Sequence, residues 1–189
     1  MKFPFNERKA AQAAAYLLKK HNGRLNYMKL IKLLYLADRK ALVVRGMPIT
    51  GDRMVAMPQG PVLSGVLDLI NWGRRPGEDS VWLEYISPPE GYEVRLVDPN
   101  ADLDRLSERE CEILDQIDAV YGRIDKWSLV ELTHQLAEWH DPSGSSFPID
   151  PADILRAEGR SKEDIQRVSE SADQALLIEM IGKTALRSE

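Results

Sequence analysis

The chain has 189 residues, weighs 21.4 kDa, and is 43% hydrophobic and 29% charged. That is the composition of an ordinary soluble domain long enough to bury a core without disulfide or metal. No apolar run approaches the roughly 18 residues of a membrane span, and a lone cysteine, Cys111, excludes an internal disulfide and a cysteine-cluster zinc site. The net charge of −5 is unevenly spread: residues 1–75 carry 14 Lys and Arg against 4 Asp and Glu, residues 76–189 carry 11 against 26. Balances of +10 and −15 mean that the two portions either neutralise each other on packing or offer opposite faces to partners. Overall acidity argues against a dedicated nucleic-acid binder, and without an export signal the chain reads as cytoplasmic.

Asn6 is placed to cap a first helix that runs to about residue 20, with Ala11, Ala14, Ala15 and Leu18 on one face, ended by His21-Asn22-Gly23. Asn26 caps a second helix to residue 45, stopped by Gly46 and Pro48. Tyr27, Leu30, Leu33, Leu34, Ala37, Ala41 and Val44 form its broad apolar face, so it is expected to be central. Lys29, Lys32, Arg39 and Lys40 gather on a narrower basic stripe, expected to face water or an acidic partner. Arg53 to Met57 reads as a strand, and Pro61 suits the first position of a third helix ending near Gly73, before a loop at 77–80.

Residues 81–86 and 92–97 are rich in β-formers and predict a hairpin closed by Ser87-Pro88-Pro89-Glu90-Gly91. Two capping boxes follow, Ser107 with Glu110 and Ser128 with Glu131, each opening a helix. After a Gly, Ser and Pro-rich loop at 140–149, Asp150-Pro151 starts a short helix. Ser161 then starts the last long one, with Ile165, Val168, Ala172, Ala175 and Leu176 facing inward. The expected fold is α+β and predominantly α-helical, with about six helices and a small antiparallel sheet or hairpin. No linker divides it, so one domain over residues 1–189, with its core at about 6–185, is expected.

There is no phosphate-cradling Gly loop, no Gly-x-Ser-x-Gly elbow and no His-Glu-x-x-His. Glu131 and His134 have the Glu-x-x-His spacing of half a dimetal site, but neither His21 nor His140 supplies the other half. Cys111, near a helix start that would lower its pKa, with His134 and Asp141 makes a nucleophilic triple on paper only. No cofactor and no enzyme activity is therefore expected; the alternatives kept are a hydrolase using His134 and a DNA-binding autoregulator. Trp72, Trp82, Trp127 and Trp139 are core or interface anchors, Trp139 being the best placed to fasten a loop.

Two segments together resemble a known family. Lys29-Leu30-Ile31-Lys32-Leu33-Leu34-Tyr35-Leu36-Ala37-Asp38-Arg39 is followed by Gly51-Asp52-Arg53-Met54-Val55-Ala56-Met57-Pro58-Gln59-Gly60-Pro61-Val62, and later by Leu129-Val130-Glu131-Leu132-Thr133-His134 with Trp139. In that order they resemble the Panacea, or SocA-like, antitoxin domain of bacterial and phage genomes, over about residues 6–180. Tyr35, Asp38, Gly60, Pro61, Thr133, His134 and Trp139 carry the motifs and are read first as fold determinants.

The resemblance implies function by binding: an antitoxin neutralises a toxin protein, usually encoded by the adjacent gene, and one member delivers its toxin to a cytosolic protease. Some relatives add a DNA-binding domain, for which the resemblance leaves no room here. Several members carry a more aromatic or basic residue near Met57 and Gln59, so that surface is expected to be tuned to its partner. Candidate partner contacts are Lys29, Lys32, Arg39, Lys40, Arg53, Met57, Gln59 and Trp82.

Overall fold

The structure is a computed structural model that describes residues 1–73 and 80–186, the last four of these for their backbone alone. It opens with α1 (Glu7–Lys20), whose N-cap Asn6 accepts from the Lys9 amide, then β1 (Arg24–Asn26) and α2 (Tyr27–Arg45). The Asn26 side chain takes the Met28 and Lys29 amides, and Gly46, at φ 72°, ends α2 in the left-handed conformation a side chain would resist. Next come β2 (Met54–Ala56), β3 (Val62–Leu63), α3 (Ser64–Trp72), α4 (Trp82–Tyr85) and β4 (Glu93–Arg95). The chain closes with α5 (Glu108–Tyr121), α6 (Lys126–His134), β5 (Phe147–Pro148), α7 (Pro151–Ala157) and α8 (Lys162–Leu186).

As its apolar face predicts, α2 is central. It is buried continuously from Leu30 to Asp38 and is flanked by α1, α3, α5, α6 and α7 and by β1 and β3. The alanine face of α1, fully buried from Ala13 to Ala15, lets its neighbours approach closely. Val44, placed on the apolar face of α2, is instead half exposed at its C-terminal end. Two small antiparallel sheets lean on the helices: β1 with β4, Leu25 opposite Val94, and a three-stranded sheet in the order β3-β2-β5. In the latter Met54 lies opposite Leu63, and Ala56 opposite Phe147. Among the described residues no helix is long and apolar enough to cross a membrane.

The α+β class holds, with eight helices among the described residues instead of about six. Local propensity misleads at residues 81–86, which form the helical turn of α4 and not a strand. The Glu7 carboxylate of α1 accepts the Val81 amide at 2.7 Å, the Trp82 amide at 3.0 Å and the Ser80 hydroxyl at 2.6 Å, capping α4 from a distant helix. Of the expected hairpin only two isolated bridges survive, Ile86 with Leu96 and Glu90 with Glu93, while β4 pairs with β1.

Pro61 precedes a strand, not a helix, because Val62 pairs with Val55. The Ser107 and Glu110 capping box is present. The Ser128 and Glu131 box is not: α6 starts three residues earlier, capped by Asp125, which accepts the Trp127 and Ser128 amides. The loop at 140–149 includes β5. Residues 77–79 of the expected loop at 77–80 lie outside the described residues.

Candidate functional site

Gly60, Pro61, Thr133, His134 and Trp139 converge on one flank of α2, where the segment 57–61 hooks over the end of α6. Gly60, at φ 87°, makes the hook: a Cβ there would lie 2.6 Å from Thr133 Oγ1, 2.8 Å from Lys32 Nζ and 3.3 Å from His134 Cδ2. Lys32 Nζ donates to the Pro61 carbonyl at 2.8 Å, and Thr133 Oγ1 to the Val130 carbonyl at 2.9 Å. His134 stacks on Trp139 with centroids 3.9 Å apart and planes 19° from parallel. Trp139 Nε1 donates to the Met57 carbonyl at 3.1 Å, fastening the 57–61 segment. Among the described residues, His134 Nε2 is enclosed and has no hydrogen-bond partner. Burial alone pushes the Lys32 ammonium down to about 7.

One turn further along α2, Glu138 is the centre of a second cluster. Tyr35 donates its hydroxyl to Glu138 Oε1 at 2.8 Å, and Arg39 donates Nε to the same oxygen at 2.7 Å and Nη2 to Oε2 at 3.2 Å. Arg39 Nη2 also meets Glu158 of the α7 C-terminus at 2.8 Å. Burial alone would raise the Glu138 carboxyl, but the Arg39 guanidinium and the Tyr35 hydroxyl hold it below the usual range. Nothing in the motifs singled out Glu138, which lies in the turn after α6; its place between His134 and Trp139 is the signal that would have found it. On α2's other side Asp38 accepts the Ile49 amide at 3.0 Å, the Thr50 amide at 2.9 Å and the Thr50 hydroxyl. Burial raises Asp38 to about 7 against the pull of these donors.

The expected contact residues do not share one surface. Lys32 is 1% exposed because the 57–61 hook and α6 cover it, so it does not belong to a water-facing stripe. Trp82 is also 1% exposed, held in the core by the α4 turn, and offers nothing to a partner. Arg39 is engaged by Glu138 and Glu158, and Lys29 is half-buried with Nζ on the Gly122 carbonyl at 2.6 Å. Lys40 and Met57 are half-buried, and Arg53 and Gln59 are exposed. On β5, opposite Ala56, stands an exposed residue that sequence reasoning missed, Phe147. A second exposed aromatic group has Lys126 Nζ 5.1 Å from the Tyr92 ring and 5.2 Å from the Trp127 ring.

At the hook Lys32, Thr133 and Trp139 spend their donors on backbone carbonyls. Glu131 is exposed while His134 turns onto Trp139, and among the described residues no three of His, Cys, Asp and Glu could hold a metal ion. Cys111 lies a full turn inside α5, where burial and the neighbouring Asp115 and Glu110 raise its pKa instead of lowering it. A cleft of about 230 Å³ lies between the ends of α2 and α7 and the start of α8, lined by Leu42, Gly46, Leu155, Arg160 and Val168 and by none of the hook residues.

Against known proteins, the sequence model of one family, described as antitoxin SocA-like, Panacea domain, matches residues 30–140. That span runs from the start of α2's buried stretch to the residue after Trp139 and so contains both clusters. No curated protein matches the chain, and no solved structure does.

Proposed function

The chain belongs to the SocA-like antitoxin family, the Panacea domain, and on that premise we propose that it is an antitoxin that neutralises a cognate toxin protein by direct binding. The observation that carries this reading is the family match across the hook and the Glu138 cluster. These residues spend their hydrogen bonds on the fold, which is what a rigid binding scaffold requires. A stable complex would bury about 1,200–2,000 Å² in total.

Of the contact residues expected from sequence, Arg53, Met57, Gln59 and Lys40 keep surface for a partner, and Phe147 supplies the aromatic anchor that such a surface needs. Met57 and Gln59 stand on the segment that the Trp139 bond immobilises, so little order is lost on binding. In the same reading the protein works in the cytoplasm on the product of the adjacent gene, and hands that product to a cytosolic protease.

The test is co-expression with the adjacent-gene product. Neutralised toxicity and a co-purifying complex are expected; a harmless neighbour that does not co-purify overturns the reading. Delivery to a protease predicts a toxin half-life that shortens when this chain is present.

A further inference from the structure

The last helix has two apolar faces. Along its first part, Ile165, Val168 and Ala172 turn toward the body, Ala172 fully buried and Ile165 and Val168 packed against the core cluster, while Ala175 and Leu176 on the same side are half-buried. Past Leu176 the apolar residues change sides. Leu177, Ile178 and Ile181 are 58%, 71% and 61% exposed. At 100° per residue they centre roughly 165° around the axis from the inward face. The stripe is therefore not a frayed continuation of the core packing. Gly182 extends the same side, and a Cβ there would meet nothing within 4 Å. A glycine inside an exposed helix costs about 1 kcal/mol against alanine, yet its bare backbone admits a close neighbour. Exposed Leu and Ile beside a bare glycine are locally wasteful and are explained together by a partner that covers them.

We propose that the distal stripe of α8, Leu177, Ile178, Ile181 and Gly182, inserts into an apolar groove with a basic rim on the toxin; this rests on the antitoxin reading above. Two observations favour the toxin over a second copy of this chain. A patch of a few side chains is on the order of 400 Å², so a self-pair through it would bury roughly 800 Å², short of the about 1,200 Å² of a specific interface. Charge points the same way. Residues 162–181 carry 2 Lys and Arg against 5 Asp and Glu, so two such helices repel. Glu163 and Glu170 are exposed about four and two turns upstream of Leu177 on the side of the stripe, with Arg167 between them paired to Asp164, so a rim of Lys or Arg on the partner would meet the two glutamates. The mode is an amphipathic helix laid in a groove.

The experiment uses the full chain and the adjacent-gene product, with Leu177→Glu/Ile181→Glu as the variant. Both side chains are exposed, so the variant is expected to keep the wild-type melting temperature and elution volume. Affinity for the neighbour should fall at least tenfold, and a Glu163→Lys/Glu170→Lys variant should weaken binding mainly at low salt. Unchanged affinity in Leu177→Glu/Ile181→Glu overturns the proposal while leaving the antitoxin reading intact. A wild-type dimer that this variant splits without loss of toxin affinity also overturns it, and assigns the stripe to a second copy. If the wild-type chain does not bind the neighbour at all, the antitoxin reading fails first and the proposal falls with it.

Discussion

Gly60 shows how much of the junction hangs on one missing side chain. Its φ of 87° is strained for any L side chain, and the space a Cβ would take is already within 2.6 Å of Thr133 Oγ1 and 2.8 Å of Lys32 Nζ. Neither neighbour can retreat cheaply: Thr133 is bonded to Val130 and Lys32 to Pro61. Gly60→Ala therefore combines backbone strain with overpacking and should destabilise by about 2–3 kcal/mol. Urea unfolding measures it, and a loss under 0.5 kcal/mol would mean the hook is not seated as described. Gly91→Ala is the control, because a Cβ at that loop position, also at positive φ, meets nothing within 4 Å; it should cost only the strain. Glycine at 60 was legible as a turn from Gly60-Pro61, but what it turns against was not. The atoms that fill its space come from α2 and α6, some thirty residues before it and seventy after.

At the scale of elements, the reading succeeded where the determinants are local and failed where they are not. Asn6, Asn26 and Ser107 cap the helices they were expected to cap, since an N-cap acts within three residues. The periodicity of α2 placed it at the centre for the same reason. Lys32 could not be placed, because a wheel gives a direction and not what stands there. β1 and β5, three and two residues long, carry too little pattern to see.

The α4 turn is the clearest case. Val81 to Ile86 has β-forming side chains, but Glu7 offers its carboxylate to two amides and a hydroxyl and so fixes a helical start. Charge-assisted bonds of this kind are worth about 1.5–3 kcal/mol. Glu7→Ala should accordingly cost about 2 kcal/mol and speed hydrogen exchange at the Val81 and Trp82 amides, leaving the α5 cap at Ser107 unchanged. Equal protection in both proteins would show that α4 forms without its distant cap.

Over the whole molecule, the opposed charges of the two portions meet in several pairs. Lys9 and Arg45 meet Glu110, Lys20 meets Asp115, His21 meets Asp118, and Arg39 meets Glu138 and Glu158. Lys32 stands apart: it is buried, its only hydrogen bond among the described residues is to a carbonyl, and burial lowers its pKa to about 7. In the unfolded chain it titrates near 10.5. Between those values the unfolded state binds the extra proton, so stability rises as pH increases from about 7 toward 10.5 and is lowest, for this group, below 7.

Asp38 contributes the opposite slope in a different window. Its folded pKa of about 7 against 3.8 makes the folded state the better proton binder, so stability falls as pH rises from about 4 to 7. The alkaline rise belongs to Lys32 and can be isolated with Lys32→Met, which keeps the stem and removes the charge. From pH 6 to pH 9.5 the stability of the wild type relative to the variant should grow by about 2–3 kcal/mol in urea titrations. At pH 6 the variant should lose little, because removing a buried ammonium offsets the lost bond to Pro61. Parallel pH profiles would instead mean that Lys32 keeps its proton in the folded state, and that water reaches the hook between Gly60 and Thr133.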